Sequence, residues 1–202
     1  YVRYPKGKKT EIAISFPSKF FYWSSEFIYF PIIEELLTGG LESVLLEHLR
    51  VKLHLIYSIS LDIDTDIYGT ITTIHVTTED KNVSKVITET INQLRLFING
   101  KVPKKLLKGV KNKHLVKKEN TCRNVRFLSE YIGEQYAFQI RKKEKVIHTI
   151  EETRDKIEKV TMDDICTIGE QLFNFDSMKI VYLGKNEWHY KSSIFGAKKK
   201  RK

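Results

Sequence analysis

Residues Leu36–Ser60 read LLTGGLESVLLEHLRVKLHLIYSIS, and a change of apolar period inside this stretch decides the fold class. Gly39 and Gly40 close a preceding helix, because glycine accepts the backbone angles that a helix end requires. From Leu41 the apolar residues Leu41, Val44, Leu45, Leu49 and Leu53 recur every three or four positions, the stripe of an amphipathic helix facing a core. The period then becomes two. Leu55, Tyr57, Ile59, Leu61 and Ile63 alternate with Ser58, Ser60, Asp62 and Asp64, as on a half-buried strand. Arg50 therefore falls near the end of a helix, about 100° round from Leu49, and Tyr57 begins the strand that follows.

Upstream of this stretch, Glu11–Phe16 alternates as a short strand stopped by Pro17, and Trp23–Leu37 is apolar on more than one side, as in a buried helix. Downstream, Leu55–Ile63 and Ile67–Thr78 form a hairpin across Asp64-Thr65-Asp66. Val83, Val86, Ile87, Thr90, Ile91 and Leu94 give the cleanest helical stripe, closed by Asn99-Gly100. Pro103 opens another helix with Leu106, Leu107 and Val110 on its apolar side. Two further helices cover roughly Thr121–Ile140 and Lys143–Lys159. Thr161 and Asp164 form a capping box ahead of Ile165, Ile168 and Leu172, and a last strand, Met178–Leu183, ends at Gly184. These elements predict an α+β fold, helices packed on a mostly antiparallel or mixed sheet. The chain divides into a basic segment 1–9, a domain 10–184 and a basic tail 185–202.

The 202 residues suffice for a sizeable core. Cys122 and Cys166 make no disulfide framework and no paired metal-ligand spacing, which fits an intracellular, reducing compartment. No apolar run reaches membrane-spanning length. Five of the ten net positive charges lie in Lys198–Lys202, leaving +5 on the rest. That tail reads as a disordered, solubilising end rather than a nucleic-acid patch. The lysines at 104, 105, 108, 111, 117 and 118 read as the solvated side of an amphipathic helix, since no aromatics for base stacking accompany them. Neither a G-x-S-x-G elbow nor a phosphate-cradling glycine loop is present.

The register Thr38-Gly39-Gly40-Leu41, Ser43, Leu45, Leu49-Arg50, Lys52, Leu55 and Tyr57-Ser58 resembles the second, non-zinc domain of the pitrilysin/insulinase-type zinc metallopeptidases. Val44 stands where that family often has Arg, Val51 where Glu is common, and His54 and Ile56 replace a Gly and a small residue before the Tyr. The resemblance covers roughly Thr10–Gly184 and implies the family's α/β sandwich. It also implies a substrate-binding domain that completes an active site supplied by a zinc-bearing N-terminal domain or subunit, with unfolded peptide as substrate. Zinc then belongs to the full enzyme and none to this chain. The family's zinc motif is H-x-x-E-H, and no two histidines here stand four apart. The nearest miss, His148-Thr149-Ile150-Glu151-Glu152, has Glu152 where the second His should be and reads as a charged helix face. Alone, the chain is expected to be inactive.

The resemblance assigns catalytic roles to Arg50 and Tyr57, which would reach the substrate backbone and help hold the tetrahedral intermediate. Taken by themselves, Arg50 is a surface or ion-paired residue near a helix end, favourable to the dipole there, and Tyr57 is a core tyrosine with a satisfied hydroxyl. Two other functions compete: a family member that has lost catalysis and serves as an assembly subunit, and, less favoured, a basic nucleic-acid-binding module.

Overall fold

The computed structural model describes residues 2–3, 9–21, 24–142 and 149–184. One five-stranded sheet carries β1 (Val2–Arg3), β2 (Thr10–Ser18), β3 (Ile56–Thr65), β4 (Thr70–Thr78) and β5 (Lys179–Gly184) in the order β1-β5-β2-β4-β3. β1 runs parallel to β5, and the other pairings are antiparallel. The helices are α1 (Phe30–Thr38), α2 (Val44–Leu46), α3 (Val83–Ile98), α4 (Lys104–Cys122), α5 (Val125–Lys142), α6 (Ile150–Lys159) and α7 (Met162–Leu172). The α+β architecture expected from the periodicities is the one observed.

The core lies between one face of the sheet and the helices. Ile12, Ile14 and Phe16 of β2, Ile59 and Leu61 of β3, and Ile74 and Val76 of β4 point inward. They meet Ile32, Ile33, Leu36 and Leu37 of α1, Val86, Ile87, Ile91 and Leu94 of α3, and Ile165 and Leu172 of α7. Edge-on packing of Phe173 against Phe16 (5.4 Å) and Phe97 (6.5 Å) ties α7 to β2 and α3. The α3 stripe is buried as its spacing predicts, and Asn99-Gly100 ends it. Gly100 takes φ +73°, and the Gly100 and Lys101 amides donate to the Phe97 and Leu96 carbonyls, a Schellman cap. The Thr161–Asp164 capping box also forms at the start of α7.

Several boundaries move. Ser25–Tyr29 is a 3-10 helix and α1 begins only at Phe30, so the expected Trp23–Leu37 helix is shorter; Trp23 lies outside the described residues. Pro17 does not stop β2, which runs to Ser18. β5 pairs with β2 only as far as Ser15, so Pro17 sits where β2 has one neighbour and a missing N–H is tolerated. The hairpin turn is Asp66–Gly69, not Asp64–Asp66, because the Asp66 carboxylate accepts the Tyr68 and Gly69 amides (2.6 and 2.9 Å). α4 continues to Cys122, and Asn124 caps α5 through the Arg126 amide at 3.0 Å, so no helix starts at Thr121. Of the expected Lys143–Lys159 helix, residues 143–148 fall outside the described set. α6 starts with a reciprocal cap in which Thr149 and Glu152 exchange bonds. The carboxylate of the zinc-motif near miss thus serves a helix end, and His148 is not described. Most of 1–9 and all of 185–202 also lie outside the described residues.

Candidate functional site

The segment between α1 and β3 is built differently from its apolar pattern. Gly39 has φ −75°, so the end of α1 needs no left-handed residue. Leu41 is 66% exposed and lies in the turn, and the helix begins at Val44 with Ser43 buried behind it, its hydroxyl donating to the Gly40 carbonyl at 2.5 Å. Leu45 and Leu49 are fully buried anchors. Glu47–Lys52 winds as a π-helical turn, closed by the Leu53 amide on the His48 carbonyl (3.1 Å) and the Leu55 amide on the Leu49 carbonyl (2.9 Å). Such turns widen a helix locally and are common at functional sites. Arg50 lies on this turn, exposed and with no hydrogen-bond or ion-pair partner among the described residues. His54 then takes φ 52°, the left-handed region, where the resemblance has glycine.

Tyr57 is not in the core. Ile56 pairs with Thr78 and Ser58 with Thr77, so Tyr57 is an extra residue, a β-bulge at the start of β3. The bulge breaks the expected alternation. Ile56 and Ile59 face inward, while Tyr57 and Ser58 face out, with Tyr57 44% exposed. Its hydroxyl donates to Glu79 Oε1 at 3.0 Å, and Lys81 Nζ holds Glu79 Oε2 at 2.6 Å. Lys9 Nζ lies 4.8 Å from the centre of the Tyr57 ring. The bond to Glu79 raises the Tyr57 pKa, while Lys81 and then Tyr57 lower that of Glu79. At neutral pH the pair is therefore a phenol and a carboxylate. Behind it, Thr10 and Tyr182 both donate to Asp80, fixing the turn that carries Glu79.

The face of the sheet away from the helices is open among the described residues. Register places Ser58, Thr77, Glu11 and Leu183 in one row across it, Ser60, His75, Ala13 and Val181 in the next, and Asp62, Thr73, Ser15 and Lys179 in a third. The first two rows line a shallow groove of about 410 Å³ that begins beside Tyr57. His75 Nε2 sits 3.5 Å from Asp62, and Ser15 and Thr73 share a hydrogen bond of 3.1 Å. A larger cavity, about 740 Å³, opens at the opposite end of the sheet near Ser18 and Phe175, away from this chemistry. Among the described residues no three His, Cys, Asp or Glu side chains converge as a metal site. No described helix is long and apolar enough to cross a membrane.

Glu79, Lys81 and Lys9 were not singled out by the sequence reading. The hairpin offered a signal, since antiparallel pairing of the start of β3 with the end of β4 brings the residue after Thr78 beside Tyr57. Arg50 and Tyr57 both reach solvent, and no hydrogen bond joins them.

A family model described as the peptidase M16 inactive domain matches residues 1–113, more than half the chain. No curated protein sequence matches. Among solved structures, a conserved protein from Enterococcus faecalis V583 is 19% identical with a TM-score of 0.75, covering 90% of this chain and 40% of its own. A peptidase M16 inactive domain from Pseudomonas fluorescens is 13% identical with a TM-score of 0.77, covering 94% and 44%. A candidate zinc protease from Bordetella pertussis is 13% identical with a TM-score of 0.67, covering 87% and 94%. The chain thus spans less than half of the first two proteins.

Proposed function

Because the chain belongs to the peptidase M16 inactive-domain family, we propose that it is the substrate-binding half of a zinc metalloendopeptidase whose zinc-bearing half is another domain or subunit. The observation that carries this reading is the bulge that turns Tyr57 out of the core at one end of a sheet face that is open among the described residues. A tyrosine held there is a proton donor at every physiological pH, which an oxyanion-stabilising group must be. Arg50, exposed and without a partner among the described residues, is a cation available to hold substrate carbonyl oxygens. Among the described residues β3 is an edge strand of the sheet, and its outer backbone groups suit the addition of an extended peptide. The likeness to a protein named for zinc supports a metal in the complete enzyme, and its ligands belong to the other half.

In the assembled enzyme acting on an extended peptide, Tyr57→Phe is expected to lower kcat/KM by about a hundredfold, the loss typical of one oxyanion donor. Tyr57 is exposed, so the circular dichroism of the variant should match that of the parent. Unchanged turnover would remove the assigned role. Failure to recover any zinc-bearing partner would leave the assembly-subunit reading in its place.

A further inference from the structure

We propose that Glu79 is a positioning residue that withholds the Tyr57 proton from a ground-state peptide carbonyl and yields it to the developing oxyanion. The proposal rests on the reading of Tyr57 given above. A phenol has one proton to donate, and here Tyr57 gives it to Glu79 Oε1. A carboxylate is a stronger acceptor than a neutral amide carbonyl, so substrate binding alone does not displace it. An oxyanion carries charge comparable to the carboxylate, and against it the exchange is close to even. The Tyr57 bond to substrate is then made in the transition state and not before, which is the condition for accelerating a reaction rather than tightening its ground state.

The surroundings suit such an exchange. Lys81 grips the other carboxylate oxygen, so Glu79 keeps a counter-charge when it lets go of Tyr57. Lys9 over the ring face restrains the ring while the hydroxyl hydrogen turns. Glu79 follows β4 directly, and Asp80, held by Thr10 and Tyr182, anchors the next residue. The acceptor is therefore mounted on a fixed turn rather than a loose loop.

The test is a double-mutant cycle of Tyr57→Phe and Glu79→Gln in the assembled enzyme, with KM and kcat measured separately on an extended peptide. Replacing the carboxylate by an amide removes the charge and leaves an acceptor no stronger than the substrate carbonyl, so the hydroxyl can exchange to substrate in the ground state. Glu79→Gln should then lower KM by about fivefold, the difference between a charged and a neutral hydrogen bond, and the drop should vanish when Tyr57 is already Phe. A KM unchanged or raised in Glu79→Gln overturns the proposal, as does a drop that persists without the hydroxyl. If Tyr57→Phe itself leaves turnover intact, the reading beneath it falls instead. On the chain alone, ring-carbon NMR of Tyr57 gives a second readout. Its titration should move down towards the ordinary tyrosine value in Glu79→Gln, and an unmoved titration means that the bond does not form in solution.

Discussion

His54 holds a left-handed backbone between the π-helical turn and the bulge that carries Tyr57. A β-carbon in that region crowds the following carbonyl, at a cost of about 1–2 kcal/mol that glycine does not incur. The strain sits two residues before β3, where the chain reverses from helix to strand, and glycine is the residue that the resemblance leads one to expect there. His54→Gly is accordingly expected to stabilise the domain by about 1 kcal/mol, less whatever glycine loses by its greater freedom when unfolded. A urea midpoint that moves up at constant m-value bears this out; a fall in midpoint means that the imidazole makes a compensating contact.

At the scale of elements, what could be read from the sequence and what could not have distinct causes. The α3 stripe, its Gly100 cap and the Thr161 capping box are local, set within a few residues of one another, and all were legible. The bulge at Tyr57 is not local, since it is defined by how β3 pairs with β4, so strict alternation placed Tyr57 in the core. The turn moved for a related reason, because the Asp66 carboxylate competes for backbone amides in a way that an apolar pattern does not register. The α1–α4 contact was likewise invisible, and it has a pH consequence. His114 of α4 packs on α1 with its Nε2 buried and unbonded. Burial lowers its pKa most; Glu35 opposes this, Lys117 and Lys113 add to it, and a bond to the Pro31 carbonyl opposes it. The unfolded chain therefore binds this proton more readily than the folded one. Stability is full above the ordinary histidine value of about 6.5 and falls as pH drops through it, levelling off below the folded value. Urea melts between pH 7.5 and 5 should show this loss, and His114→Gln should flatten it. A slope unchanged in the variant assigns the loss to other groups.

For the whole molecule, the lysines of α4 and the open sheet face belong to different layers of the described residues. On α4, Lys111 is tied to the Glu158 and Val160 carbonyls (2.5 and 2.8 Å), Lys113 to Glu35, and Lys118 lies over the Tyr131 ring, so part of that lysine set brackets helices together. The open face instead presents hydroxyls, His75 and the carboxylates of Glu11, Asp62 and Asp64 beside the apolar Ala13, Val181 and Leu183, with Lys179 the one lysine in its three rows. A surface of short polar and apolar side chains with few cations suits an extended peptide better than a polyanion, whose binding would need clustered cations. If that face lines the chamber shared with the zinc-bearing half, covering it requires both the partner and the peptide. A cysteine placed there reports this directly. In a background with Cys122 and Cys166 replaced by serine, Ser60→Cys should react with a thiol reagent at the rate of an exposed residue in the isolated chain. Once partner and extended peptide are added, it should slow markedly. Val116→Cys, exposed on α4, should be unaffected in both states. Equal protection at both positions would mean that the partner covers the helices, and unchanged labelling of Ser60→Cys would place the peptide somewhere other than on this sheet.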